Sequence, residues 1–282
     1  MSLQDELWKI INAAETFKVK SVFSYVTLHG LRLNIDEIRC ENEKCKKRVS
    51  EDKRRLLERM AMFLSDDSVR EKMRLANELL DEVKRAILSV VTRESERWVT
   101  YDVTARTTER LVIGTSSFFG RNAFEVGLSF HPVLDLPYIP SSSIKGALRS
   151  YVNLNELRCG ELGEREIFGY PGEMRGLLLI SDAFPVNFER LLIVPEVTTP
   201  TYREVEGRIE EHRAEPVPVI YPVVDKGVDF RFIVALGEDV GEECKRSIWS
   251  WIVDVMREGL GAKTLLGYGA MEVLRNEGGS YG

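Results

Sequence analysis

The sequence predicts an α+β fold, because two different hydrophobic periods alternate along its 282 residues. From Trp98 onward apolar and polar residues alternate, which is the period of a half-buried strand. Between the predicted strands lie two segments with apolar residues three and four positions apart, the period of an amphipathic helix. With one insertion left out, the order is βαββαβ. That order predicts a ferredoxin-like core.

The elements of this core follow from the pattern of each segment. The first strand is predicted to run from Trp98 to Gly114, with a bend or bulge near Thr107 and Thr108, and the first helix starts at about Ser142 or Ser143 after Pro140. The other predicted elements are strands at 176–184, 191–197, 228–236 and 268–274 and a helix at 242–258. A long irregular insertion is expected at about 199–222.

The first 97 residues predict a helical section ahead of this core. A short helix is expected near 7–14, and two helices across 50–91 are separated by the polar cluster Ser65-Asp66-Asp67-Ser68. The predicted domain limits are therefore 1–97 for the helical section, 98–276 for the core with its insertion, and 277–282 for a flexible tail.

Composition sets limits on the class of protein. The chain is 44% hydrophobic and 30% charged, which is typical of a globular protein. No apolar run approaches the roughly 18 to 20 residues of a membrane span, and the first 20 residues lack the apolar centre of a signal peptide. We therefore expect a cytoplasmic protein with no membrane partner.

The four cysteines do not predict a disulfide framework in a chain of this length. Cys40 and Cys45 form a C-x4-C pair, but no second pair stands near enough in sequence to complete a zinc site. Free thiols remain open, as does a local Cys40–Cys45 disulfide if the source is a hyperthermophile. Cys159 and Cys244 are expected to be isolated. We predict no metal and no cofactor.

The stretch YIPSSSIKGALR, at 138–149, has the features of an anion-binding helix start. Any of Ser141, Ser142 and Ser143 could cap the helix, and the free N–H groups of a first turn attract anions. Lys145 adds a positive charge, and Gly146 permits close approach of a ligand. An ordinary capped helix with one solvated lysine explains the same residues.

The second candidate is the loop GLGAKTLLGYG at 259–269. Glycines at this density allow positive φ angles and bring backbone N–H groups close to a ligand. Lys263 and Thr264 supply a charge and a hydroxyl. The loop is not a Walker A motif, because it leads from a helix to a strand and Ala262 precedes the lysine. A glycine-rich turn without a ligand is the alternative.

The net charge of −6 argues against a general nucleic-acid binder. The charge is uneven, however, because residues 105–150 carry five basic and three acidic side chains. A local basic groove on an acidic body can bind one phosphate backbone. Arg121 lies in this region, in a loop at 115–122 whose two phenylalanines could stack on bases or tuck under the sheet.

Three ordered blocks resemble the RAMP superfamily of CRISPR-associated RNA-binding proteins. They are FEVGLSFHPVLDLPYIPSSSIKGALR at 124–149, IFGYPGEMRGLLLISDAFPV at 167–186 and the glycine loop at 259–269. Ser141 replaces the usual glycine of the first block, and Thr201 stands where histidine is usual. Within the superfamily, the blocks are most similar to the subunit-six family of the Cmr complex, the type III-B CRISPR effector.

This resemblance implies a ferredoxin-like RNA-binding subunit that is not an enzyme and that holds the 3′ part of the guide RNA. The implied partners are the guide RNA (crRNA), other Cmr and RAMP backbone subunits and a small helical subunit. The candidate RNA-contacting residues are Ser141, Ser142, Ser143, Lys145, Arg149, Arg121, Gly261, Lys263, Thr264, Gly267 and Gly269. A protein-only scaffold subunit, or a metal-dependent or RAMP-type endoribonuclease, is the alternative.

Two catalytic readings of the residues are weaker. Ser142 and Lys145 match S-x-x-K of serine acyl-enzymes, but the S-D-N and K-T-G strings of that class each lack their last residue here. Asp182 has no histidine or second carboxylate at ligand spacing, so a metal nuclease is not indicated. The absence of an RNP1 string also predicts that bases are not read on the sheet face.

Overall fold

We describe a computed structural model of the chain over residues 21–65, 67–91, 98–199, 203–205, 208–210, 218–237 and 240–277. The helix predicted near 7–14, Thr201 and residues 278–282 of the predicted tail lie outside these ranges. Within them, no helix is both long enough and apolar enough to cross a membrane.

The helices account for most of the first third of the described chain. They are α1 Val22–Ile38, α2 Glu43–Phe63, α3 Asp67–Val91, α4 Phe118–Arg121, α5 Ser141–Leu154, α6 Glu164–Phe168 and α7 Glu242–Glu258, with a 3₁₀ turn at Thr264–Leu266. The predicted break between two helices near residue 66 and the predicted helix at 242–258 are confirmed. The sequence analysis missed α1 as a separate helix.

The strands are shorter and more numerous than predicted. They are β1 Trp98–Thr107, β2 Phe130–His131, β3 Leu136–Pro137, β4 Gly169–Tyr170, β5 Met174–Arg175, β6 Leu178–Ile180, β7 Phe184–Phe188, β8 Ile193–Thr198, β9 Arg203–Val205, β10 Arg208–Glu210, β11 Val219–Val224, β12 Val228–Gly237 and β13 Met271–Glu277. The single strand predicted at 176–184 is wrong, because the chain leaves the sheet between β6 and β7. The irregular insertion predicted at 199–222 is also wrong in part, because it contains β9, β10 and most of β11.

The chain forms two compact groups of contacting residues that do not follow chain order. Unit 1 falls within 1–66, 114–130 and 192–223, and unit 2 within 67–113, 131–191 and 224–282. The domain limits at 97 and 276 stay a prediction.

Unit 2 is built on a five-stranded antiparallel sheet. Its path is β13-β1-β12-β6, and β7 also pairs with β12. The register places Val103 opposite Phe232 and Thr107 opposite Met271. The two strands of every neighbouring pair are joined by hydrogen bonds in the antiparallel sense.

Helices cover both faces of this sheet. On one face, α3 packs against β1, β7 and β12. On the other, Trp249 of α7 stacks on Tyr101 of β1 with 6.2 Å between ring centroids. Helix α5 packs against α7 and β6. The face that an open sheet could offer to bases is therefore occupied by α3.

Unit 1 has its own aromatic core. Phe119 stacks on Phe130 with ring centroids 4.2 Å apart and on Phe23 at 5.3 Å. Asn122 Nδ2 donates to the carbonyl oxygen of Thr27 at 2.8 Å, which fixes the turn after α4 to α1. Of the two phenylalanines in the predicted stacking loop, Phe119 is buried, whereas Phe118 is 68% exposed. Phe119 is thus packed in the core of unit 1, and stacking of Phe118 on a base stays a prediction.

Both pairs of cysteines are disulfide-bonded. Cys40 pairs with Cys45, the local bridge that the spacing left open. Cys159 pairs with Cys244, so the prediction that these two are isolated is wrong. The second bridge lies within unit 2 and joins the segment after α5 to the first turn of α7. The pairing was invisible in the sequence because 85 residues separate the two cysteines.

We predict that Cys159→Ala destabilises the oxidised protein more than Cys45→Ala. A bridge that closes 85 residues removes more unfolded-state entropy, worth roughly 4–5 kcal/mol, than one that closes 5 residues, worth on the order of 2 kcal/mol. Urea denaturation with and without reductant measures both effects. Reductant should abolish the difference between each variant and the wild type. Equal midpoints for both oxidised variants would contradict the prediction.

Candidate functional site

The predicted anion-binding helix start is already occupied by a side chain of the protein. Helix α5 begins at Ser141, directly after Pro140, and no side chain of a serine caps it. Instead the Ser141 N–H donates to Asp182 Oδ1 at 2.6 Å. A carboxylate at this position also interacts favourably with the helix dipole. An external anion would have to displace or avoid Asp182, so the predicted serine cap is wrong.

The break between β6 and β7 holds Asp182 in place. Ser181 donates its N–H to the Ile233 carbonyl at 2.9 Å and accepts from the Ile233 N–H through Oγ at 2.9 Å. On the other side, Ala183 and Ile139 exchange two backbone hydrogen bonds of 2.9 Å. Burial raises the pKa of the nearby Tyr138 hydroxyl, and the Asp182 carboxylate raises it further.

Lys145 is held within the fold and is not a fully solvated lysine. Its Nζ donates to the carbonyl oxygen of Leu178 at 3.1 Å. Burial lowers the pKa of the Lys145 ammonium below its ordinary value, and the neighbouring Arg149 guanidinium lowers it further. The amine is thus a positioned donor at the edge of the sheet.

Lys145 and Arg149 share a hollow of about 640 Å³, which we call the basic hollow. Its remaining wall is the segment 168–176, which contains the β4–β5 hairpin. Arg149 forms an ion pair with Glu164. Arg175 lies over the Trp98 ring, with 5.1 Å from its Cζ to the ring centroid.

Glycines shape the hairpin wall of the basic hollow. Gly169 has φ of 82°, and a Cβ there would lie 2.6 Å from the Gly176 nitrogen. Gly172 has φ of 78° with open space around it. This segment belongs to the second family block of the sequence, but neither Tyr170 nor Arg175 was predicted as a site residue. The signal was the string G-Y-P-G-E-M-R-G, which places an aromatic and an arginine between turn glycines.

The glycine loop uses most of its backbone N–H groups to fold. The N–H of Gly269 donates to Arg110 O at 2.8 Å, and that of Ala262 donates to Val112 O at 2.8 Å. Within the loop, Gly267 N–H donates to Thr264 O at 2.8 Å. The predicted cradle of free glycine N–H groups is therefore wrong for Gly267 and Gly269.

Glycine is needed at positions 261 and 269 because neighbouring backbone atoms lie too close to leave room for a Cβ. A Cβ on Gly261 would lie 2.2 Å from the Val112 carbonyl oxygen, and one on Gly269 would lie 2.0 Å from that of Leu260. Both glycines also have positive φ. The loop displays side chains at its tip, where Leu265 is fully exposed and the Lys263 ammonium lies 5.7 Å from the centroid of the Tyr268 ring.

The structure does not bring the two predicted motifs side by side. Next to Asp182, Ser181 bonds to Ile233, which lies opposite Asp102 of β1. The glycine loop bonds to the chain beyond Thr107, the last residue of β1. Five residues at about 3.3 Å each separate these two levels by roughly 17 Å along the strand. The register therefore places the two candidate motifs at different levels of the sheet.

Comparison with known proteins identifies the family. The sequence model of the RAMP superfamily matches residues 104–272, which is more than half of the chain. The chain belongs to the RAMP superfamily. The predicted resemblance is thereby confirmed.

This RAMP chain is similar to subunit Cmr6 of the CRISPR system of Saccharolobus solfataricus. The two are 39% identical over 180 residues, which cover 64% of this chain and 59% of the relative. The chain thus spans less than two thirds of that relative's length.

Two solved structures are also similar. One is a chain of the type III-B Cmr-beta bound to cognate target RNA, with TM-score 0.73, 27% identity, and coverage of 97% of this RAMP chain and 98% of the other. The other is Cmr6 from Pyrococcus furiosus, with TM-score 0.37, 20% identity, and coverage of 64% and 99%. A score that low carries no argument.

Arg121 of this RAMP chain belongs to unit 1, whereas every other predicted contact residue belongs to unit 2. It is exposed at the last position of α4. Among the described residues, no group of three or more His, Cys, Asp or Glu side chains could hold a metal ion. In the S-x-x-K pair, Lys145 donates to a backbone carbonyl and Ser142 is exposed.

We predict opposite effects for two alanine substitutions in the candidate motifs. Gly269→Ala forces a residue with a Cβ into φ of +77° against a backbone oxygen, and the left-handed conformation alone costs about 1–2 kcal/mol. Gly146→Ala meets nothing within 4 Å and should stabilise helix α5 by about 1 kcal/mol. Urea denaturation tests both. A neutral Gly269→Ala would contradict the structural role of that glycine.

Proposed function

We propose that this protein is a non-catalytic guide-RNA-binding subunit of a type III-B CRISPR ribonucleoprotein effector, packed against other RAMP subunits. The observation that carries the proposal is the similarity, over 97% of the chain, to a chain of the type III-B Cmr-beta bound to cognate target RNA. We place the 3′ part of the guide RNA and a small helical subunit among its partners, and the protein in the cytoplasm.

We also propose that the sheet of unit 2 is a ferredoxin-like core. Counting β6 and β7 together as the second strand, the sheet order is fourth-first-third-second. Helix α5 connects the first strand to the second, and α7 connects the third to the fourth. This is the connectivity of a βαββαβ unit with all neighbouring strands antiparallel.

Because α3 covers one face of the sheet, we expect RNA to bind at another surface of the protein. The basic hollow is an alternative within unit 2, because Lys145, Arg149 and Arg175 line one open depression. Tyr170, which is 39% exposed, could stack on a base there. Cationic side chains reach phosphate oxygens without reading a base, so binding would be independent of sequence and sensitive to salt.

In this proposal, some of the other predicted residues contact RNA through their side chains, and the glycines shape the loop that carries two of those residues. Ser142, Ser143, Lys263 and Thr264 keep candidate roles through their side chains. Gly261, Gly267 and Gly269 act by shaping the loop that carries Lys263 and Thr264. Arg121 would contact RNA from unit 1.

A protein-only scaffold is the second candidate, and one observation favours it. The tip of the glycine loop exposes Leu265 completely and 74% of Leu266. Adjacent exposed leucines on a hydrogen-bonded turn are typical of a protein contact. Among the residues that the structure describes, no observation favours a role as a metal-dependent endoribonuclease.

The test is RNA binding by a variant of the basic hollow. Lys145→Met with Arg149→Gln removes two charges while keeping most of each side chain's volume. We expect the affinity for single-stranded RNA of about 30 nucleotides to fall tenfold or more, and the slope of log K against log salt to fall by roughly 1.4, since each lost phosphate contact is worth about 0.7. Fluorescence anisotropy at several salt concentrations measures both.

The matched control is Lys226→Gln, which removes an exposed charge from the turn between β11 and β12. It should leave affinity and slope within twofold of the wild type. If the isolated chain binds too weakly, the same variants are compared for guide-RNA retention in the assembled complex. Equal RNA binding by the wild type and the double variant would remove the basic hollow from the site and favour the scaffold.

A further inference from the structure

Unit 1 contains a second polar depression that the proposed function does not use. It lies between α1 and α2 and has a volume of about 240 Å³; we call it the arginine hollow. It is lined by Tyr25, His29, Arg32, Leu33, Asp36, Asp52, Arg55, Leu56 and Arg59. Three guanidinium groups thus converge on one small space.

Helical spacing in the sequence places these side chains together. On α1, Tyr25, His29 and Leu33 recur at four-residue intervals, and on α2 Arg55 and Arg59 do the same. Residues four apart lie on one face of a helix. The Cys40–Cys45 disulfide lies at the short connection between the two helices and restrains the depression at one end.

An aromatic pair forms one wall of the arginine hollow. The rings of Tyr25 and His29 have centroids 4.3 Å apart, and Phe63 meets Tyr25 edge-on at 5.2 Å. Arg59 Nη1 donates to Tyr25 Oη at 3.0 Å, which orients the phenol ring beside the guanidinium. Leu33 and Leu56 are buried beneath. The depression therefore combines an apolar floor, two aromatic rings that are tilted by 46° to each other, and cations.

The lining carries one more permanent positive charge than negative, since three arginines face two aspartates. Arg32 Nε and Asp36 Oδ2 are 4.0 Å apart, and Arg55 Nη1 and Asp52 Oδ1 are 3.3 Å apart. Such pairs within one helix are worth only a few tenths of a kcal/mol. A phosphate can likewise accept two parallel N–H bonds from a guanidinium, so it can compete with these carboxylates for the same arginines.

We propose that the arginine hollow binds a nucleoside phosphate, with its phosphate on Arg55 and Arg59 and its base against the Tyr25–His29 pair. The ligand is a free nucleotide or one nucleotide of an RNA strand. Base stacking on an aromatic side chain contributes about 1–3 kcal/mol, whichever the base. An acidic peptide would use the arginines but would leave the Tyr25 and His29 rings without an aromatic partner.

The test titrates AMP, adenosine and inorganic phosphate into the full chain by isothermal calorimetry. AMP should bind more tightly than either part alone. Arg59→Gln and Arg55→Gln should each weaken AMP binding at least fivefold, and Tyr25→Leu should do so without abolishing phosphate binding. Arg54→Gln is the control, because Arg54 is exposed on the same helix, pairs with Glu58 and does not line the hollow.

Several outcomes decide the proposal. AMP competing with a five-nucleotide RNA for the hollow supports it and shows that either source can supply the ligand. RNA binding that Arg59→Gln weakens, with no AMP binding, also supports it and assigns the site to RNA. The proposal is wrong if neither AMP nor phosphate nor RNA binds in a way that depends on Arg55 or Arg59. It is also wrong if hexaglutamate binds more tightly than AMP.

The site is distinct from the basic hollow, and its test is independent of the proposed function. Lys145→Met with Arg149→Gln should leave the AMP affinity unchanged within twofold. Thermal melting of each variant verifies folding. If Arg59→Gln lowers the melting temperature, Arg32→Gln provides a second variant of the same hollow, with at least a twofold loss of AMP affinity expected.

Discussion

The architecture of unit 2 depends on one strand that must be buried on both faces. Nine of the ten residues of β12 are buried, and only Arg231 is partly exposed. A strand of this kind needs a partner on each side and a layer above and below. Strand β1 lies on one side and β6 and β7 lie on the other, while α3 packs on one face.

Arg231 links the sheet of unit 2 to α3, the helix that covers one of its faces. Its Nε donates to Asp102 Oδ1 at 2.7 Å, and its Nη2 to Asp81 Oδ1 of α3 at 2.6 Å. Its Nη1 also donates to the Asn77 side chain at 3.1 Å. A guanidinium with partners on both the strand and the helix holds α3 against the sheet. Because that face of the unit 2 sheet is covered, we propose that cationic side chains elsewhere on the chain contact the phosphate backbone.

Whether a feature could be predicted from the sequence depended on how far apart in the chain its interacting residues lie. Helix α7 was predicted with its observed limits, because an amphipathic period is local. The break at Asp182 and the Cys159–Cys244 bridge were missed, since each depends on residues distant in the chain. The anion motifs were correctly placed on a helix start and a loop. The N–H groups of both motifs, however, donate to acceptors within the protein, such as the Asp182 carboxylate and the Arg110 carbonyl oxygen. No local sequence pattern indicates these acceptors. The arginine hollow was missed because α1 was not recognised.

The most direct test of the central claim is ultraviolet crosslinking of guide RNA in the assembled complex, followed by mass spectrometry of this chain. We predict crosslinked peptides from the wall of the basic hollow, at 168–176, with Tyr170 as the principal attachment point. Peptides from β1 and β12 should carry no RNA, because α3 covers that face of the sheet. RNA attached to β1 or β12 while 168–176 stays free would contradict the account.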